Sequence, residues 1–248
     1  MPRTTIPTRS RLERMLAATL FATLVSLAAP LSALADTATP EQPQSPNAGA
    51  MNDVYFAILG VTITVFVLVG GSLLYSAIRF RARPGDPIDP PQIHGSTRLE
   101  IGWTIVPVLI LVGLAGYTLA KMPDVQDAPS GARQVKVVGF QFGWEFTGVG
   151  GFKLPKNAPV NTLVIPVDTP VKLLLTSRDV IHDWWVPELG QKADLWPGTT
   201  TDTWINADKT GTYDGQCSEF CGAGHPDMVI VVKVVTKQQF ADMGGQGA

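Results

Sequence analysis

A pair of membrane-crossing helices followed by an all-β domain is the fold class this sequence predicts, and three observations carry it. Charged residues make up only 16% of the 248 positions, against 45% hydrophobic ones, whereas soluble domains usually carry about 25% charged residues. Two uncharged apolar runs, Val54 to Ile78 and Ile101 to Ala120, each approach the roughly 20 residues that cross a bilayer as a helix. From Met122 onward the chain changes to short β-rich runs separated by Pro, Gly and Asn, the spacing of an antiparallel sandwich or barrel.

At the N-terminus, Arg3, Arg9, Arg11 and Arg14 lead into an apolar run from Met15 to Leu31 and then Ala33-Leu34-Ala35. A basic start, a short apolar core and small residues at the cut make residues 1–35 a cleaved secretory signal, with Asp36 opening the mature chain. Pro30 and the A-x-A end speak against an uncleaved anchor. Residues 36–50, DTATPEQPQSPNAGA, have the composition of a disordered linker. Residues 51–122 hold the helical hairpin. Its connection carries Arg79, Arg81, Arg83 and Arg98 against Asp86, Asp89 and Glu100, and arginines clustered in a short loop mark the cytoplasmic side. The hairpin therefore enters from outside, turns inside and leaves again. Residues 123–240 are then a periplasmic or extracellular β domain, and 241–248 a flexible tail.

Candidate strands in that domain are Gln134 to Phe140, Thr162 to Val167, Val171 to Thr176, Ile181 to Val186, Thr200 to Ile205 and Met228 to Val235. From Pro123 to the end, 14 acids stand against 10 bases. Net charge speaks to association more than to fold. A basic protein partner suits this domain, and nucleic acid does not.

The chemistry concentrates in GQCSEFCGAGHPDM, residues 215–228, which holds both cysteines of the chain. In an oxidising compartment the default fate of such a pair is a disulfide. Against that stands the company: Cys217, Cys221, His225 and Met228 share one short loop, and thiolate, imidazole and thioether are the donors that select copper. One blue copper needs a single Cys, two His and a weak Met. Here two thiolates can bridge two copper ions, with one histidine per metal and the weak positions filled by Met228 and a loop carbonyl. The second histidine comes from His94 or His182. His94 falls in the cytoplasmic connection, which leaves His182, at the start of HDWWVP.

The loop and the Asp179-Val180-Ile181-His182 segment together resemble subunit II of the haem-copper cytochrome c oxidases. That family's signature, G-Q-C-S-E-x-C-G-x-x-H-x-x-M, is filled at every fixed place from Gly215 to Met228, and the resemblance covers nearly all of the mature chain. It implies a cupredoxin-like Greek-key barrel behind the hairpin. It also implies a dinuclear copper centre, copper A, held by His182, Cys217, Cys221, His225 and Met228 with the carbonyl of Glu219. The Glu219 carboxylate would help hold magnesium at the contact with subunit I, the haem and copper B subunit. LEIGWTIVP, residues 99–107, resembles the family's start of the second helix, which would put Glu100 at the mouth of a proton pathway. Function by resemblance is electron transfer from cytochrome c through copper to the haem of subunit I, for reduction of oxygen to water coupled to proton translocation.

Two departures from the family pattern bear on partners. GQKADLWPG, residues 190–198, is followed by Thr199 where the family often has Arg. The family's Gln-Trp-x-Trp segment reads Gln141-Phe142-Gly143-Trp144, so its electron-accepting Trp is Phe142 here. Phe142 is then the expected donor contact and Trp144 the support behind it, with Gly143 giving a donor close access to the backbone. Among other classes, a copper chaperone with Cys-x-x-x-Cys uses an α/β domain with its His downstream of the cysteines, and a quinol oxidase subunit lacks the copper ligands. A fused cytochrome c would need Cys-x-x-Cys-His.

Overall fold

The computed structural model describes residues 42–81 and 95–247. The expected signal peptide, the first residues of the expected linker and His94 lie outside the described residues. Among the described residues two long helices come first, α1 (Pro46–Arg79) and α2 (Thr97–Gln126), of 34 and 30 residues. At about 1.5 Å per residue they run roughly 51 and 45 Å, longer than the roughly 30 Å hydrocarbon layer. Their apolar windows average a mean hydropathy of 2.3 and 2.0 and are not buried by the rest of the chain. Pro46 opens α1, where a missing N–H costs nothing. Lys121 of α2 pairs with Asp53 of α1 at 3.0 Å and ties the helices at the end next to the β domain.

The linker expected over residues 36–50 is not borne out at its C-terminal end: α1 begins at Pro46, and Ser45, Asn47, Ala48 and Ala50 are buried. Composition suggested a solvated segment, but the polar side chains here find backbone partners. The Asn47 amide donates to the Trp204 carbonyl at 2.7 Å, so burial carries little penalty.

Nine strands follow: β1 (Arg133–Phe140), β2 (Gly143–Val149), β3 (Thr162–Pro166), β4 (Val171–Ser177), β5 (His182–Trp185), β6 (Ala193–Leu195), β7 (Thr201–Ile205), β8 (Gly211–Cys217) and β9 (Val229–Val235). They form a four-stranded sheet in the order β2-β1-β4-β7 and a five-stranded sheet in the order β3-β9-β8-β5-β6. Alternate residues of β1 and β4, Val135, Val137, Leu173 and Leu175, point into the core between the sheets and meet Leu163, Ile165, Ile230 and Val232 of the other. The purely antiparallel arrangement expected from strand spacing needs correcting, because β1 pairs with β4 and β3 with β9 in parallel. Spacing along the chain reports strand length, not which strands become neighbours. Strands β2, β6 and β8 escaped the sequence reading because glycine and aspartate interrupt or bound them.

The flexible tail expected over 241–248 also needs correcting. A short helix α3 (Lys237–Asp242) opens with a capping box between Thr236 and Gln239, which satisfies two end N–H groups at once. Beyond it, the Gln246 backbone exchanges two 3.0 Å hydrogen bonds with Lys153. Phe240 is fully buried and stacks on Phe152, ring centres 5.5 Å apart. Phe240→Ala is expected to destabilise the domain by about 3–5 kcal/mol, the usual range for a buried Phe truncation. Chemical denaturation followed by tryptophan fluorescence measures it.

Candidate metal centre

Strand β8 ends at Cys217 and β9 begins after Met228, so the loop between them is the tip of a hairpin. The Cys217 N–H donates to the Met228 carbonyl at 3.0 Å and closes the loop at its base. Inside it a 3₁₀ turn, His225–Asp227, aims the His225 ring back toward the cysteines. Strand β5 runs beside β8, with Trp184 opposite Cys217, which brings His182 to the same end of the sheet.

The donor atoms fall into two sets. Cys217 Sγ lies 3.8 Å from His182 Nδ1 and 3.3 Å from the Glu219 carbonyl oxygen. Cys221 Sγ lies 3.6 Å from His225 Nδ1 and 3.8 Å from Met228 Sδ. The sulfurs are 3.9 Å apart, and both thiols are free; a disulfide would hold them at about 2.0 Å. His182, Cys217 and Cys221 form a buried cluster with ligand atoms within 4.8 Å of one another. Cys217, Cys221, His182 and Met228 are all buried, whereas the Glu219 side chain is exposed. Such a set of sulfur and imidazole donors fits a soft transition metal, and copper above all.

Asp179 organises this arrangement. Its Oδ1 meets His182 Nε2 at 2.8 Å, which turns Nδ1 toward Cys217. The same carboxylate accepts the Gln141 N–H at 2.8 Å and the Val180 N–H at 2.7 Å. Burial alone would raise its pKa, but the Gln141 N–H, the imidazole and the Val180 N–H together hold it below the usual carboxylate range. A carboxylate behind a ligating histidine fixes the ring and raises its basicity. Room for that ring comes from Gly139 of β1, where a Cβ would stand 3.1 Å from His182 Cδ2.

Burial pushes the Cys221 thiol up to about 11, and the neighbouring Cys217 adds to the effect. A bound cation must therefore displace protons from this site. Next to His182, Asp183 is buried and lifted to about 6, first by desolvation, against a lowering hydrogen bond from the Ser218 hydroxyl and with Asp194 raising it further.

The remaining predicted residues divide. Trp144 is buried edge-on to His182, ring centres 6.2 Å apart, and to Trp184 at 5.8 Å. Phe142 is 39% exposed and lies on the metal loop: a Cβ at Gly224 would come 2.5 Å from its ring. Gly143 departs from expectation, because it is buried and hemmed in by Phe140 and Asn161, so it opens no backbone to a donor. Glu100 is not brought to the centre; it sits in the first turn of α2, roughly 39 Å of helix from the end that joins the β domain. Sequence reading missed Gln141, whose Nε2 donates to the Cys221 carbonyl at 2.6 Å. Its signal was its place as the Gln that opens the Gln-Trp-x-Trp-like segment, to which no role was given.

An α-helical membrane hairpin carrying a cupredoxin-like domain with a Cys/His metal cluster at one sheet end defines the class: a membrane-anchored metalloprotein with its β domain outside. The profile for the transmembrane domain of cytochrome c oxidase subunit II matches residues 36–120, and that for its periplasmic domain matches residues 150–235. The chain is 33% identical over 217 residues to a Rickettsia bellii protein described as "Probable cytochrome c oxidase subunit 2", covering 81% of this chain and 80% of that one. It is 31% identical over 223 residues to cytochrome c oxidase subunit 2 of Cereibacter sphaeroides, covering 76% and 72%. The crystal structure of the periplasmic domain of subunit II of cytochrome oxidase from Bradyrhizobium japonicum is 34% identical, with a TM-score of 0.43 over 46% of this chain and 92% of that chain. The chain belongs to the cytochrome c oxidase subunit II family and is an oxidase subunit.

Proposed function

We propose that this chain takes electrons from cytochrome c at a dinuclear copper centre and passes them to the haem of subunit I. The observation that carries the reading is the pairing of donors: each of two sulfurs, 3.9 Å apart, has its own imidazole and its own weak donor. One metal would leave half of this set idle. Copper bound there supplies reversible one-electron chemistry. The protein's part is to hold the donors still, so that little rearrangement accompanies electron transfer. Asp179 locks His182, Gln141 holds the Cys221 carbonyl, and the bond from Cys217 to Met228 closes the loop. Buried Trp144 and Trp184 pack behind His182 and keep water out.

On the same reading, Phe142 is the surface through which the donor's electron arrives, the Glu219 carboxylate takes a magnesium ion at the contact with subunit I, and Glu100 takes up protons on the cytoplasmic side. The chain crosses the cell membrane twice, with the β domain in the periplasm. Copper loading followed by absorption and paramagnetic resonance spectroscopy tests the centre. Two coppers per chain sharing one unpaired electron are expected; one copper with a four-line spectrum would sink the dinuclear reading. Phe142→Ala is expected to slow oxidation of the donor while leaving the copper spectrum intact, and Phe142→Trp to preserve or speed it. Unchanged donor oxidation in the alanine variant would move the electron's point of arrival elsewhere, with Trp185 the first place to look.

A further inference from the structure

Both ends of the hairpin are fastened to one strand of the β domain. Asn47, in the first turn of α1, is fully buried; its Nδ2 donates to the Trp204 carbonyl at 2.7 Å and its Oδ1 accepts from the Ser45 hydroxyl. Trp204, on β7, donates from Nε1 to the Val125 carbonyl in the last turn of α2 at 3.0 Å. Gln44, just ahead of α1, donates its N–H to the Glu188 carbonyl at 2.8 Å. Gly190, at φ +153°, lies directly against Asn47, and a Cβ there would come 2.5 Å from Nδ2. The turn containing Gly190 leads into β6, where Leu195 sits opposite His182. A continuous packed path thus runs from the membrane helices through Asn47 and Gly190 to the strand carrying His182. A simple tether needs no fully buried amide, which is tolerated only because its hydrogen bonds are made.

We propose that Asn47 is a positioning residue for electron departure: it clasps the β domain to the hairpin and so fixes the height and tilt of the metal centre over the membrane. In the step it serves, the centre gives up one electron and haem iron in the partner subunit gains it. This rests on the copper reading above. Tunnelling falls steeply with distance, so slack in the clasp slows departure and leaves arrival alone.

The test uses the assembled oxidase. Flash reduction of the copper centre by a ruthenium photodonor, followed at the copper and haem absorption bands, separates arrival from departure. Asn47→Ala is expected to keep the copper spectrum and the arrival rate and to slow departure about tenfold, since even a 1 Å misplacement can be costly. Gly190→Ala, which displaces Asn47 from the other side, is expected to do the same. Departure within about twofold of the parent in both variants overturns the proposal. So does a changed copper spectrum, because the clasp would then be shaping the centre itself. If Asn47→Ala does not assemble, Trp204→Phe, which keeps most of the ring and deletes the bond to Val125, is judged by the same two criteria. A parent complex without the shared-electron signal removes the copper reading, and this proposal with it.

Discussion

Cys217→Ser and Cys221→Ser are each expected to abolish the shared-electron centre and reduce oxidase turnover to background. Serine is nearly the size of cysteine, so the hairpin tip keeps its packing, and the β8–β9 ladder from Gly211 to Gln216 is untouched. What disappears is one of two sulfurs that face each other at 3.9 Å, and a hydroxyl is a poor donor to a soft metal. The remaining sulfur keeps its own imidazole and weak donor. Copper content should therefore fall from two per chain to one or none, with any residual signal showing four lines. Two coppers and an unchanged spectrum in either variant would show that the thiolates do not bridge.

Asp179→Ala is expected to weaken copper binding about 10–100-fold, the usual effect of removing a partner behind a ligating histidine. The carboxylate reaches the donor sulfurs only through its charge, which helps to raise the Cys221 thiol. It acts through His182 Nε2 and through the N–H groups of Gln141 and Val180. Asp179→Asn retains an oxygen that can accept the imidazole proton, so it should recover much of the affinity and separate orientation from charge. Titration against a competing chelator measures both. Asp202→Ala, which removes an exposed ion pair with Lys172, serves as the control and should leave affinity unchanged. Equal affinities for Asp179→Ala and the parent would mean that the loop alone orients His182.

The copper loop could be read from sequence because its donors are chemically rare and adjacent: two cysteines, a histidine and a methionine between 217 and 228 admit few explanations. His182 was reachable by elimination, since beyond His225 in the loop the chain offers only one other histidine, His94. Asp179 stood in view inside the Asp179-Val180-Ile181-His182 segment, but its bond to the ring depends on how the chain turns into β5. Gln141 was opaque, because it reaches the Cys221 carbonyl 80 positions away, across two sheets. The helices were legible from apolar length, yet their ends were not. Asn47 and Ser45 carry the polarity of a linker, and only partners far along the chain make them interior. Gly143 misled for a related reason: a missing side chain reads as open space, whereas the space belongs to Phe140.

The closure of the loop by its own base, Cys217 N–H to Met228 carbonyl, makes the centre portable. Five of the six proposed donors sit within a segment whose two ends are already held a hydrogen bond apart by neighbouring antiparallel strands. A host scaffold would need a β-hairpin of matching width, one imidazole on the adjoining strand, and partners to hold them as Asp179 holds His182 and Gln141 holds the Cys221 carbonyl. Insertions in turns away from this loop, such as the one between β2 and β3, can therefore accumulate without disturbing the site, whereas the turn between β6 and β7 lies against it through Trp196 and Pro197. A single residue added between Cys217 and Met228 would disturb it.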